Sequence, residues 1–236
     1  MEICKIHGPY EAEEVRIFSS VFKSKCPVCV EIQENREREL EDAMKKKAEL
    51  EALENRGIEP EYLNATLENF IAENASEQEA LEACKSLDTG AIRKVVLLGS
   101  NGVGKTHLAS ALALKHHGIV ITMFKLSDRV RRGFKDGLTE CDVLDKILKY
   151  PFIAIDEIGR TKGSDAEKNW LSYLVDKAHT RNIRLLLISN RHSARFLPDE
   201  RKGEAFEYYI DNDVISRLHA LSRVVEINGR DRRNKK

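Results

Sequence analysis

Eight residues constrain this chain more than any other stretch: Gly99-Ser100-Asn101-Gly102-Val103-Gly104-Lys105-Thr106, a G-x-x-x-x-G-K-[ST] pattern met without exception. The run before it, Lys94–Gly99 (KVVLLG), reads as a buried strand, and the run after it, THLASALALKHH, reads as a helix. That context turns a glycine pattern into a phosphate cradle. Glycines bring backbone N–H groups close to phosphate oxygens, and the helix N-terminus adds a favourable dipole. Lys105 is expected to face the β- and γ-phosphates of ATP, and Thr106 to offer its hydroxyl to Mg²⁺.

A strand feeding such a loop requires a parallel sheet, and the rest of the chain supplies one. Further apolar runs occur at Ile119–Leu126, Phe152–Asp156, Ile183–Ser189 and Val224–Ile227, with helical segments between them. Near-continuous apolar strands alternating with helices mean a doubly wound α/β sheet, here of five strands. One helix opens at Ser164 with the S-x-x-E start Ser164-Asp165-Ala166-Glu167. The segment after Asn190 is too short for a helical lid domain as well as a last strand.

The strand Phe152-Ile153-Ala154-Ile155 ends in Asp156-Glu157. Ligands of an open parallel sheet bind at the carboxyl ends of its strands. Asp156 is therefore expected to hold Mg²⁺, and Glu157 to polarise the attacking water as general base. Asn190, closing the strand IRLLLISN, is placed to reach the γ-phosphate or that water.

The first residues carry a different chemistry. Cys4-x-x-His7 and Cys26-x-x-Cys29 are two ligand pairs, and three thiolates with one imidazole make a closed, structural Zn²⁺ site. About 30 residues cannot build a core of their own, so a metal would supply the stability. Cys84 and Cys141 fall in helical segments and read as buried thiols. Residues 33–56, rich in Glu, Lys, Leu and Ala, favour helix strongly and read as a linker. The expected organisation is a zinc module at 1–32, a helical linker at 33–56 and an ATPase domain at 57–236.

Lysine plus arginine equals aspartate plus glutamate, 39 each, so net charge makes no case for nucleic acid and any such case is local. The local cluster is Arg129, Arg131, Arg132 and Lys135, with Phe134 among them. No apolar run approaches the roughly 18 residues of a membrane span, and the acidic N-terminus lacks an apolar leader core. A reducing, cytoplasmic setting is expected, with the cysteines serving as ligands or buried thiols.

Together, VVLLGSNGVGKTHLASALA, FIAIDEIG, LLLISNR and DNDVISRL resemble the AAA+ superfamily, and more finely helicase loaders of the DnaC/DnaI type and their IstB-type transposition relatives. The resemblance covers residues 57–236 and extends to the closing INGRDRR. It implies an ATPase with a trimmed domain, weak alone and stimulated by partners. It implies that Arg217 is an arginine finger completing a neighbour's site in a homo-oligomer formed on ATP or DNA. It implies that Arg233 senses the γ-phosphate, with the run Arg230-Asp231-Arg232-Arg233 leaving the register open. It places Ile58–Phe70 near the adenine and the basic cluster near single-stranded DNA. The partners it implies are a replicative hexameric helicase, bound through the N-terminal module, and single-stranded DNA. Two other classes stay open: a transposition-type helper assembling on duplex DNA, and an ATP-binding scaffold with little turnover.

Overall fold

The chain divides into two units, Met1–Ala52 and Leu53–Lys236. The computed structural model describes every residue except 18–19, 161–163, 211–213, 216–217, 219–221 and 233–236. In the first unit two short antiparallel hairpins come first. Strand β1 (Glu2–Cys4) pairs with β2 (Gly8–Tyr10), and β3 (Glu14–Ile17) with β4 (Ser20–Lys23). Helix α1 then runs Pro27–Asn55, beginning at Pro27 rather than at residue 33. Proline is suited to the first helical position, where its missing N–H costs nothing. No residue of α1 is buried. It stays helical through propensity and pairs one turn apart, such as Arg38 with Glu34 and Lys47 with Glu51.

The second unit alternates as its apolar runs require. Helix α2 (Ala75–Thr89) is capped by Asn74, whose side chain accepts from the Glu77 amide. Then follow β5 (Lys94–Leu98), α3 (Lys105–Lys115), β6 (Ile119–Thr122), α4 (Met123–Lys135), α5 (Glu140–Ile147), β7 (Phe152–Ile158), α6 (Asp165–Thr180), β8 (Arg184–Ser189), α7 (Phe206–Tyr209) and β9 (Ser222–Glu226). The sheet is parallel throughout, in the order β6-β7-β8-β5-β9. Alternate residues of one strand enter opposite cores. Val96 and Leu98 pack under α4, α5 and α6 with Leu126, Leu144 and Leu174. Val95 and Leu97 pack under α2 and α3 with Leu87 and Leu112. Covering both faces explains why these strands read as unbroken apolar runs.

Two expectations are corrected here. The run Ile119–Leu126 is half strand and half helix: β6 stops at Thr122, whose hydroxyl caps α4 by accepting from the Lys125 amide at 3.1 Å. Leu126 and Val130 then bury one helical face. Cys84 is fully buried, with its thiol pushed up to about 12 by desolvation, but Cys141 is exposed. It sits at the start of α5, whose buried side is Val143, Leu144 and Ile147. Among the described residues no helix is long and apolar enough to cross a membrane.

Candidate functional site

Sheet order fixes where the cleft opens. From β5 the chain goes to the far edge and returns through β6, β7 and β8, then crosses to β9 on the other side of β5. Loops from neighbouring strands diverge at that reversal, beside the carboxyl ends of β5 and β8. The loop 99–104 lies there, with Lys105 starting α3. Gly104 has φ +98, and a Cβ on it would strike the Phe70 ring. Both conditions demand glycine. Lys105 is 4% exposed and donates to the carbonyls of Gly99 and Ser100, each at 2.7 Å. Its ammonium is thus held in the loop's concavity.

Strand β7 delivers the carboxylates through an irregularity. Its register against β8 shifts between Ile155 and Ile158, and Glu157 takes φ +59. A non-glycine residue in that region costs on the order of 1 kcal/mol or more, and such bulges re-aim side chains. The Ser189 hydroxyl donates to the Ile158 carbonyl at 2.6 Å and secures the strand beyond the bulge. Asp156 consequently points at the loop: its carboxylate accepts from the Thr106 hydroxyl at 2.9 Å and the Glu157 amide at 2.6 Å. Burial holds the Asp156 carboxyl above the usual range, against the pull of those hydrogen bonds and of Lys105. Glu157 is ion-paired with Arg160.

A cavity of about 650 Å³ joins these groups, in the range of small-molecule sites. Asn101, Gly102, Gly104, Lys105, Thr106, Asp156, Glu157 and Asn190 line it. Gly99 and Ser100 contribute the carbonyls that hold Lys105, and Val103 is buried beneath the loop. Arg217 and Arg233 lie outside the described residues. Tyr62 and Phe70, of the segment expected near the adenine, and Arg230 and Arg232, of the run whose register was left open, line it too, and so do Glu73 and His107, which the sequence analysis did not single out. His107 was legible as the residue after Thr106 on the first turn of α3; its ring contacts the Thr66 carbonyl at 3.0 Å and Asn69 at 2.9 Å. Glu73 has no local signal.

The N-terminal unit brings its four expected ligands together. The donor atoms of Cys4, His7, Cys26 and Cys29 lie within 4.8 Å of one another. Cys4 Sγ is 3.6 Å from Cys29 Sγ and 3.7 Å from His7 Nδ1, and Cys29 Sγ is 3.3 Å from the same nitrogen. Ligands at 2.0–2.3 Å from one tetrahedral ion sit at such separations. Backbone amides of Ile6 and His7 donate to Cys4 and lower its thiol to about 6, while the neighbouring Cys4 sulfur pushes Cys29 up. One thiolate suppresses the next, which a dication would relieve. The donor set fits a metal.

Helix α4 presents the basic cluster with an amphipathic division. Leu126, Val130 and Gly133 face inward. Arg131, Arg132 and Lys135 are exposed, as are Phe124 and Phe134 at 74% and 52%. Arg129 is drawn off to the Asn55 carbonyl at 2.8 Å, and Arg132 pairs with Asp128.

The fold and site are those of a P-loop ATPase with AAA+ architecture. A family model for IstB-like ATP binding protein matches residues 41–236. The chain belongs to that family, and it binds ATP. Among solved structures, the DnaC helicase loader is similar with a TM-score of 0.57 at 20% identity, over 72% of this chain and 100% of that one. DnaI is similar with a TM-score of 0.53 at 22% identity, over 74% and 93%. AMPPCP-bound DnaA from Aquifex aeolicus is similar with a TM-score of 0.57 at 20% identity, over 74% of this chain and 53% of that one. At these identities the likeness is one of fold. The chain spans about half the length of DnaA and of a DNA replication initiation factor, and covers 50% of the latter. No functionally curated protein matches it.

Proposed function

We propose that the protein is an ATP-dependent loader of a replicative hexameric helicase, docking the helicase through its N-terminal unit and delivering it to single-stranded DNA. The observation that supports this reading is the combination, in one chain, of a Cys/His ligand cluster with a nucleotide domain of DnaC and DnaI fold. Residues 1–32 act as a zinc module, 33–56 as a linker and 57–236 as the ATPase, in a cytoplasmic setting. Zn²⁺ is the metal that three thiolates and an imidazole select.

In the cleft, Lys105 and the loop amides bind the phosphates. Thr106 and Asp156 would hold Mg²⁺, which neutralises charge on the phosphates. Asn190 orients a water in line with the terminal phosphorus, and Glu157 takes its proton as the bond to ADP breaks. Glu157 has first to leave Arg160, so turnover is slow until a partner rearranges that pair. Arg217 completes a neighbour's site in a homo-oligomer assembled on ATP or DNA, and Arg233 senses the γ-phosphate. The exposed face of α4, with Arg131, Arg132, Lys135 and Phe134, contacts single-stranded DNA: cations follow the backbone and the ring takes an unstacked base.

Capture of the host helicase by immobilised protein, with ATP and with ADP, tests this directly. Wild type retains the helicase in ATP, and Cys26→Ser does not. No capture in either nucleotide, together with tight binding to duplex DNA, would replace the loader by the transposition-type helper.

A further inference from the structure

Strands β7 and β8 end side by side, with Ile158 paired to Ser189, and the segments that follow them are joined. Residues Glu157-Ile158-Gly159-Arg160 form a turn closed by the Arg160 amide, which donates to the Glu157 carbonyl at 3.2 Å. The carbonyls of Ile158 and Gly159, inside that turn, need donors of their own. Both donors come from the exit of β8. The Ser189 hydroxyl donates to the Ile158 carbonyl at 2.6 Å, and Arg191 Nε donates to the Gly159 carbonyl at 2.9 Å. Ser189 Oγ in turn accepts from the Arg191 amide at 3.1 Å. Arg191 is fixed at two further points. Its Nη1 donates to the Glu204 carbonyl at 2.8 Å, and its guanidinium lies 5.3 Å from the centre of the buried Tyr209 ring. Gly159 has φ +77, and a Cβ there would come within 2.5 Å of Arg191 Nε, so this close approach requires glycine.

We infer that Arg191 is a positioning residue for ATP hydrolysis: with Ser189 it holds the turn that carries Glu157, and so sets where that carboxylate stands relative to Asn190. Ser189 and Arg191 flank Asn190 in the chain, and Asn190 and Glu157 line the same cavity. The two residues that grip the Glu157 turn are therefore the covalent neighbours of Asn190, and a shift of one side displaces the other. Glu157 needs such support because its backbone takes φ +59, a conformation that persists only where the surrounding structure over-determines it. Arginine suits the task better than lysine. Its planar guanidinium serves the Gly159 and Glu204 carbonyls at once and lies over Tyr209, whereas an ammonium is a point donor. Arg191 is not among the residues lining the nucleotide cavity, so it acts through Glu157. The ion pair of Glu157 with Arg160 lies within the turn, so it can open by side-chain rotation while the backbone stays held. This inference rests on the reading of Glu157 as general base and is independent of helicase loading.

Single-turnover phosphate release from Mg·ATP by the full chain, beside ATP titration, tests it in wild type, Arg191→Ala, Glu157→Gln and the double variant. Arg191→Ala should slow release by about tenfold or more while ATP affinity stays within about twofold of wild type, the pattern of an interaction that matters only in the transition state. In the Glu157→Gln background the same change should cost nothing further, because a residue that acts through Glu157 then has nothing left to aim. Equal slowing in both backgrounds would show a merely structural role and overturn the inference. A wild-type rate in Arg191→Ala, or a loss confined to ATP affinity, would overturn it too. Normal turnover in Glu157→Gln alone would refute the general base itself, a failure visible before Arg191 is changed and one that takes the inference with it. Should Arg191→Ala not fold, Arg191→Lys carries the same test with a smaller factor. Slower release at wild-type ATP affinity is then expected only where Glu157 is present, and a wild-type rate would refute the role.

Discussion

In Leu53–Lys236 the strands β5, β7 and β8 are sealed on both faces by helices, and two apolar layers bury leucines, isoleucines and valines to zero exposure. In Met1–Ala52 the single buried side chain among those described is Cys26, a candidate metal ligand, while Ile3 and Ile6 stand 80% and 79% exposed. One unit gains order from area removed from water, and the described side chains of the other remove little. The first is expected to tolerate the loss of a polar interaction, and the second to depend on its candidate metal ligands. The two are therefore separable by chemistry, and each can be broken without the other.

The largest separation should come from the metal. Chelation, or Cys26→Ser, should remove a binding energy on the order of 10 kcal/mol from a unit whose described side chains bury little else. Amide exchange in residues 1–26 should rise to that of an unfolded chain, while β5, β7 and β8 keep their protection and ATP still binds. Slow exchange in the N-terminal hairpins of the metal-free protein would show that they do not need an ion.

The converse break lies in the cleft. Glu157→Gln should lower partner-stimulated turnover by about 10²–10⁴-fold, the usual worth of a general base, and leave ATP affinity and zinc content as in wild type. Phosphate release measured beside nucleotide titration separates these. Normal turnover would return Glu157 to a partner of Arg160 and nothing more.

The smallest effect belongs to the surface of α4. Reversing Arg131 and Arg132 to glutamate should flatten the salt dependence of single-stranded DNA binding by about 0.7 in logarithmic slope for each phosphate no longer neutralised. An unchanged slope in fluorescence anisotropy would leave those arginines as a solvated helix face.

How much was legible in the sequence followed from how local each feature is. The phosphate loop and Asp156-Glu157 are strand-to-turn features a few residues long, and their surroundings are written beside them in the sequence. The four metal ligands were legible because their spacing leaves few other uses in a short segment. The strand ending at Thr122 was drawn too long because IVITMFKL is apolar in either period, and a threonine cap outweighed it. The tail was legible only in part: the run Arg230-Asp231-Arg232-Arg233 was expected to hold an arginine at the nucleotide, but its register stayed open. Arg232 meets Ile71 and Glu77 across more than 150 residues of chain, and no short-range pattern announces such a pairing. The bulge that turns Glu157 toward Arg160 left no mark in the sequence either.

The claim that one unit captures the helicase while the other spends ATP to release it onto DNA is tested most directly by a loading assay on circular single-stranded DNA. Helicase delivered to the circle is counted for wild type, Cys26→Ser and Glu157→Gln. The expected result is that both variants fail for opposite reasons. Cys26→Ser keeps its DNA-stimulated ATPase but captures no helicase, and Glu157→Gln captures helicase in ATP but does not let it go. Delivery by Cys26→Ser at the wild-type level would contradict the account, because the N-terminal unit would then have no part in loading.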